Sequence, residues 1–99
     1  MAAEASGNPW ENFRTHLPVL LKRLDGKALV PVLYSKHVID YDEFEELSFP
    51  NVTNKSIVEK LARILSRKLP VDINYTRFRE ALLSIQGQQY LVDEYFPAI

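Results

Sequence analysis

The chain has no cysteine, which removes disulfides, thiolate metal sites and a cysteine nucleophile together and suits a reducing compartment. Its three glycines are isolated from one another, so there is no glycine-rich loop to cradle a phosphate. No apolar run approaches the roughly 20 residues that cross a bilayer, and no basic-then-apolar leader precedes the body of the chain. A soluble, cytoplasmic protein is therefore expected. Its two histidines, His16 and His37, fall in different segments and belong to no ligand spacing. With no nucleophile, base or metal set in mutual reach, the expectation is a non-enzyme without metal, cofactor or small-molecule substrate. The stretch DYDEFEEL places Asp40 and Asp42 at the first and third positions of a calcium loop. Phe44 then occupies the fifth position, Glu45 the place of the obligatory glycine, and Asn51 the place of the bidentate glutamate, so calcium is not expected. Two Asn-x-Thr triplets, at Asn51 and Asn74, are not expected to meet the glycosylation machinery without a leader.

What is present is a helical period. At 99 residues, 46% hydrophobic and 25% charged, the chain has the size and composition of one folded domain. The first eight residues, MAAEASGN, are small and polar with no amphipathic period, and are expected to form a flexible N-terminus ahead of a domain spanning 9–97. Strand-like alternation is missing, and apolar residues recur at spacings of three and four. Trp10, Phe13, Leu17, Leu20, Leu21 and Leu24 make a first segment that Pro18 should kink into two pieces, before Asp25-Gly26 stops it. A second runs over Ala28–Val38, where Pro31 is tolerable only in a first turn.

The third begins at Asp40, whose spacing to Glu43 is that of a capping box, turns Phe44 and Leu47 inward and closes at Pro50. In TNKSIVEKLARILSRKL, Thr53, Asn54 and Ser56 are each able to cap a fourth, whose inner face is Ile57, Val58, Leu61, Ile64, Leu65 and Leu69. Asn74 can cap a fifth, with Phe78, Leu82 and Ile85 in register until Gly87, and Gln88–Phe96 makes the last. Phe13, Phe44, Phe78 and Tyr95 are expected in the core. The fold class that follows is all-α: a six-helix antiparallel bundle with a kinked first helix.

The charges are sorted although they nearly cancel, the net charge being −1. Asp40, Asp42, Glu43, Glu45 and Glu46 crowd the third segment; Lys55, Lys60, Arg63, Arg67 and Lys68 oppose them in the fourth, and Lys22, Arg23 and Lys27 add base near the end of the first. Acids at a helix start and bases at its end complement the macrodipole, at about 0.3–1 kcal/mol each. That covers Asp42, Glu43, Arg67 and Lys68. It leaves Glu45, Glu46, Lys60 and Arg63, because like charges three or four residues apart repel and a solvated face ordinarily mixes its signs. Opposite patches on separate faces would let copies of one molecule, or related domains, dock head to tail. The alternative is a small helical nucleic-acid binder using Lys60, Arg63 and Arg67 on phosphates, with the acidic segment and the net charge against it.

The order of these segments resembles the caspase recruitment domain, the CARD branch of the death fold, over about Trp10–Phe96. VLYSKHVIDYDEFEEL is similar to the family's passage from a short apolar helix to an acidic one. VEKLARILSRK is similar to its fourth helix, and Phe78, Ala81 and Leu82 match apolar positions of its fifth. The resemblance implies a module for homotypic protein–protein interaction, an adaptor that recruits or oligomerises CARD-containing signalling proteins in apoptosis or innate immunity, with self-association possible and neither membrane nor nucleic acid as partner. It implies a basic surface at Arg23, Lys60, Arg63 and Arg67 and an acidic one at Asp40, Asp42, Glu43 and Glu46. Departures from the family pattern are RKLPVDIN, longer than the usual loop and carrying Pro70, and Pro31 within the second helix. The sister death-effector branch carries an Arg-x-Asp-Leu motif that QYLVDEYF lacks, and pyrin domains are more distant in pattern.

Overall fold

The computed structural model describes residues 9–49 and 52–97; the expectations for residues 1–8 and for closure at Pro50 lie outside them. Seven helices and no strand occur among the described residues: α1 Glu11–Thr15, α2 Leu17–Arg23, α3 Gly26–Ser35, α4 Tyr41–Leu47, α5 Asn54–Leu65, α6 Val71–Leu83 and α7 Gln89–Tyr95. The count is seven where six were expected because the first segment is fully divided. The break falls at His16, two residues ahead of the expected kink. Pro18 then lies in the first turn of α2, where a missing amide donor costs nothing. The His16 carbonyl accepts from both Val19 and Leu20, starting the new helix.

Pro31 departs from expectation in the opposite sense. It sits in the second turn of α3, past the positions whose amides are spare, and the helix continues through it. Pro31 and Lys27, the residue whose carbonyl loses its partner, are both exposed, so the lost bond falls on the solvent side. Asp25 starts α3 two residues earlier than expected, its carboxylate accepting from the Ala28 amide. At the other end the amide of Val38 donates to the Leu33 carbonyl and that of His37 to the Tyr34 carbonyl, while Leu33 and Val38 are both buried. This is a Schellman cap, and its left-handed position is filled by His37 at φ +63°.

The capping box of α4 forms as the spacing predicts: Asp40 accepts from the Glu43 amide at 2.8 Å and Glu43 from the Asp40 amide at 2.9 Å. Of the three candidates at α5, Thr53 is the cap, accepting from the Ser56 amide. Asn54 has another use. Its side chain accepts from the Gly26 amide at 2.7 Å and donates to the Leu24 carbonyl at 2.9 Å, clasping the α2–α3 turn to the start of α5. Gln88 holds the same turn from the far side, bonding the Asp25 amide and the Arg23 carbonyl.

Two expectations about the second half are corrected. Asn74 does not cap: α6 begins at Val71 after Pro70, and Asn74 lies buried in its first turn, donating back to the Pro70 carbonyl. Leu69 is not on the inner face of the preceding helix. That helix ends at Leu65 and tightens through bonds from Arg67 to Ile64 and Lys68 to Leu65, so the 3.6-residue period lapses and Leu69 is 81% exposed.

The core has an aliphatic and an aromatic part. Ile57, Val58, Leu61 and Leu65 of α5 are buried among Leu20, Leu24, Leu29, Leu33 and Leu47. Trp10, Phe13, Tyr75, Phe78 and Phe96 form an aromatic cluster of edge-on and tilted pairs with neighbouring centroids 4.9–6.4 Å apart, which fastens α1 to α6 and to the residue after α7. Phe13 and Phe78 are fully buried as expected, Phe44 and Tyr95 only partly. α5 packs on α2 and α3, α3 also on α4 and α6, and α6 on α7.

Two positions test this account. A Cβ built on Gly26 would lie 2.7 Å from the Ile57 Cγ2 methyl, so Gly26→Ala should lose about 1–3 kcal/mol of stability through overpacking alone. His37→Gly should gain about 1 kcal/mol by relieving the left-handed backbone. Urea unfolding of the two variants, with an unchanged dependence on denaturant, checks both.

A candidate protein-interaction surface

Burial of Ile57, Val58, Leu61 and Leu65 turns the opposite side of α5 to solvent, and with it Lys60 and Arg63, while Arg67 follows in the turn past the helix end. The stripe is divided in use. Lys60 reaches across to α4, its ammonium 3.6 Å from Glu46. Lys68, just past the helix, bonds Glu43, and both side chains of that pair are about three-quarters shielded. Arg63 and Arg67 are exposed and make no ion pair among the described residues. They lean toward the α1 side of α5, where with Arg14 they surround a shallow hollow of about 310 Å³ floored by Leu17 and Ala62. Glu11 and Glu59 stand on the same rim.

The remaining predicted basic residue, Arg23, lies at the end of α2 with a loose, half-exposed approach of 3.9 Å to Glu94 of α7. Such an exposed pair contributes little.

The acidic residues are also divided. Asp40 and Glu43 hold the capping box, Glu43 additionally takes Lys68, and Glu46 takes Lys60. The expectation that acidic and basic helices present wholly separate surfaces is thus corrected for Lys60, Glu43 and Glu46: α4 and α5 are neighbours, and these side chains neutralise each other within one copy. What remains outward is Asp42, exposed and without an ion pair among the described residues, and Glu45, which the expected acidic set omitted.

Glu45 marks a feature the sequence reading passed over. Its negative charge near the Tyr41 hydroxyl, one turn back on the same helix, holds the phenol above its ordinary pKa of 10.0. Tyr41 joins Tyr34 and Phe44 in an aromatic trio on the outer side of α3 and α4. Tyr34 stacks on Phe44 at 4.8 Å and 26°, and Tyr41 lies 6.3 Å from Tyr34 and 6.4 Å from Phe44. Tyr41 is 56% and Tyr34 39% exposed. The usable signal was Tyr41 and Phe44 at a spacing of three, beside four acids.

The two histidines lie apart: His16 packs against Tyr95, and His37 occupies the α3 cap. No helix among the described residues is long and apolar enough to cross a membrane. Comparison with protein families, with curated proteins and with solved structures finds no match.

The Tyr41–Glu45 contact has a direct check. Glu45→Gln should bring the Tyr41 phenol back down toward 10.0, read as an earlier ionisation step in the 295 nm titration of the variant. An unchanged titration would mean that the carboxylate does not lie against the ring.

Proposed function

We propose that the chain is a caspase recruitment domain of the death fold, taking α1 and α2 together as one broken first helix, and that it acts by homotypic docking. In this reading it is a cytoplasmic adaptor module that binds CARD-containing proteins, or copies of itself, in apoptotic or innate immune signalling. The observation that carries it is the pair Arg63 and Arg67. Arg63 projects from the last turn of α5 and Arg67 from the turn just past it, both exposed and without an ion pair among the described residues, while Asp42 and Glu45 project from α4.

The interaction surfaces are narrower than the charge blocks suggest. Lys60, Lys68, Glu43 and Glu46 serve chiefly to join α4 to α5. Arg63 and Arg67, with Arg23 at the edge, form the basic contact, and Asp42 with Glu45 the acidic one. Like charges held together on each surface raise the energy of the separated molecules and guide a partner of opposite sign into one orientation. A nucleic-acid role is disfavoured by the carboxylates of Glu11 and Glu59 beside the same arginines, which would face phosphates.

Arg63→Glu should weaken association by at least about tenfold, in line with loss of a central charged contact, and leave the helical circular dichroism unchanged. Sedimentation velocity of the wild-type and variant domains measures this. Association should also weaken from 50 to 300 mM salt, as exposed charges are screened. Full association of Arg63→Glu at physiological salt, or tight salt-dependent binding of random duplex DNA by the wild type, would overturn the proposal.

A further inference from the structure

The aromatic trio on α3 and α4 is not explained by charge pairing. Tyr41 and Tyr34 expose ring surface where the core gains nothing from it, and the groups around them are acidic: Asp42 and Glu45, with Asp40 one residue away. Tyr34 also shares the wall of an adjoining hollow with Leu69, the most exposed large apolar side chain among the described residues. Two basic side chains line that hollow, His37 at the α3 cap and Lys68, which is held by Glu43. An open aromatic face with carboxylates at its rim suits a cation that is planar, weakly hydrated and able to stack while its edge hydrogen-bonds, which describes guanidinium better than ammonium.

The chain itself carries a matching group. Arg63 and Arg67 stand outward on the α1 side of α5, and they are arginines, whereas the cations that bridge α4 to α5 within the copy, Lys60 and Lys68, are lysines. We infer that Tyr41 and Tyr34 form a stacking platform for an arginine of a second copy, so that the α3–α4 face selects arginine over lysine. This rests on the homotypic reading above and adds to it a contact that the charges alone do not supply: the rings, and not only Asp42 and Glu45, set the affinity and the choice of cation. Tyr34 and Phe44, with ring centroids 6.3 and 6.4 Å from that of Tyr41, flank the ring that the guanidinium covers.

The test uses two disabled domains that can pair only with each other. A ¹⁵N-labelled Arg63→Ala/Arg67→Ala variant keeps the aromatic and acidic face, and an unlabelled Asp42→Asn/Glu45→Gln variant keeps the arginines. Titrating one with the other should move the resonances of Tyr34, Tyr41 and Phe44. Tyr41→Leu in the first partner should weaken the pair about tenfold, and Tyr41→Phe, which keeps the ring, should retain most of the affinity. Arg63→Lys/Arg67→Lys in the second partner should weaken it similarly. Combined with Tyr41→Leu, the lysine change should cost little more, the mark of coupled groups. A pair that forms with Tyr41→Leu as tightly as without it overturns the platform and leaves homotypic docking standing. Failure of the two parent variants to pair at all overturns both.

Discussion

Burial of one face of α5 governs the arrangement of the whole molecule. Ile57, Val58, Leu61 and Leu65 are within 2% of complete burial, and α5 packs on both α2 and α3. Each such side chain contributes about 1.5–3 kcal/mol when removed from water, so rotating the helix about its axis is far more costly than any surface ion pair it could gain. The direction of Lys60 and Arg63 is therefore set by hydrophobic packing and not by electrostatics. Gly26 and Asn54 make the same packing possible at close range. The absence of a side chain lets the start of α3 approach Ile57, and the Asn54 amide satisfies both an amide and a carbonyl in the turn that the approach exposes.

With α5 fixed in this way, the sorted charges acquire two distinct roles. α4 is short, and its buried contribution is chiefly Leu47. The capping box and the Lys60 and Lys68 bridges supply polar ties where apolar area is small. The partly shielded Lys68–Glu43 contact matters more than the open Lys60–Glu46 contact, because water and salt reach it less. The arginines do not take part in this bracing.

The helices themselves were legible because a 3.6-residue period is written in side-chain order, and the Asp40–Glu43 cap because its chemistry lies within three residues. Asn74 shows where local reading stops. Its residue type suits a cap, but Pro70 already starts the helix, and packing buries the asparagine in the first turn. Pro18 was read as the break itself when it is the reason for a break just before it. Leu69 was assigned inward by extending a period past the turn that ends it. The pairing of acidic and basic helices was hidden for a different reason: which helices become neighbours is a tertiary fact, and reach across the gap depends on side-chain length. Tyr41 was passed over because an aromatic at helical spacing usually marks the core.

The aromatic cluster has a consequence for how the domain comes apart. Trp10 and Phe13 near one end of the described chain share a cluster with Phe78 and Phe96, and the carbonyls of Phe96 and Pro97 accept bonds from Arg79 and Tyr75. Both ends are thus locked at one pole by the same rings, and neither can peel away while the other stays fully packed. Fraying, ordinarily the cheapest motion of a helical protein, here becomes a concerted event, and mechanical tension applied through the two ends would meet its resistance at that single point.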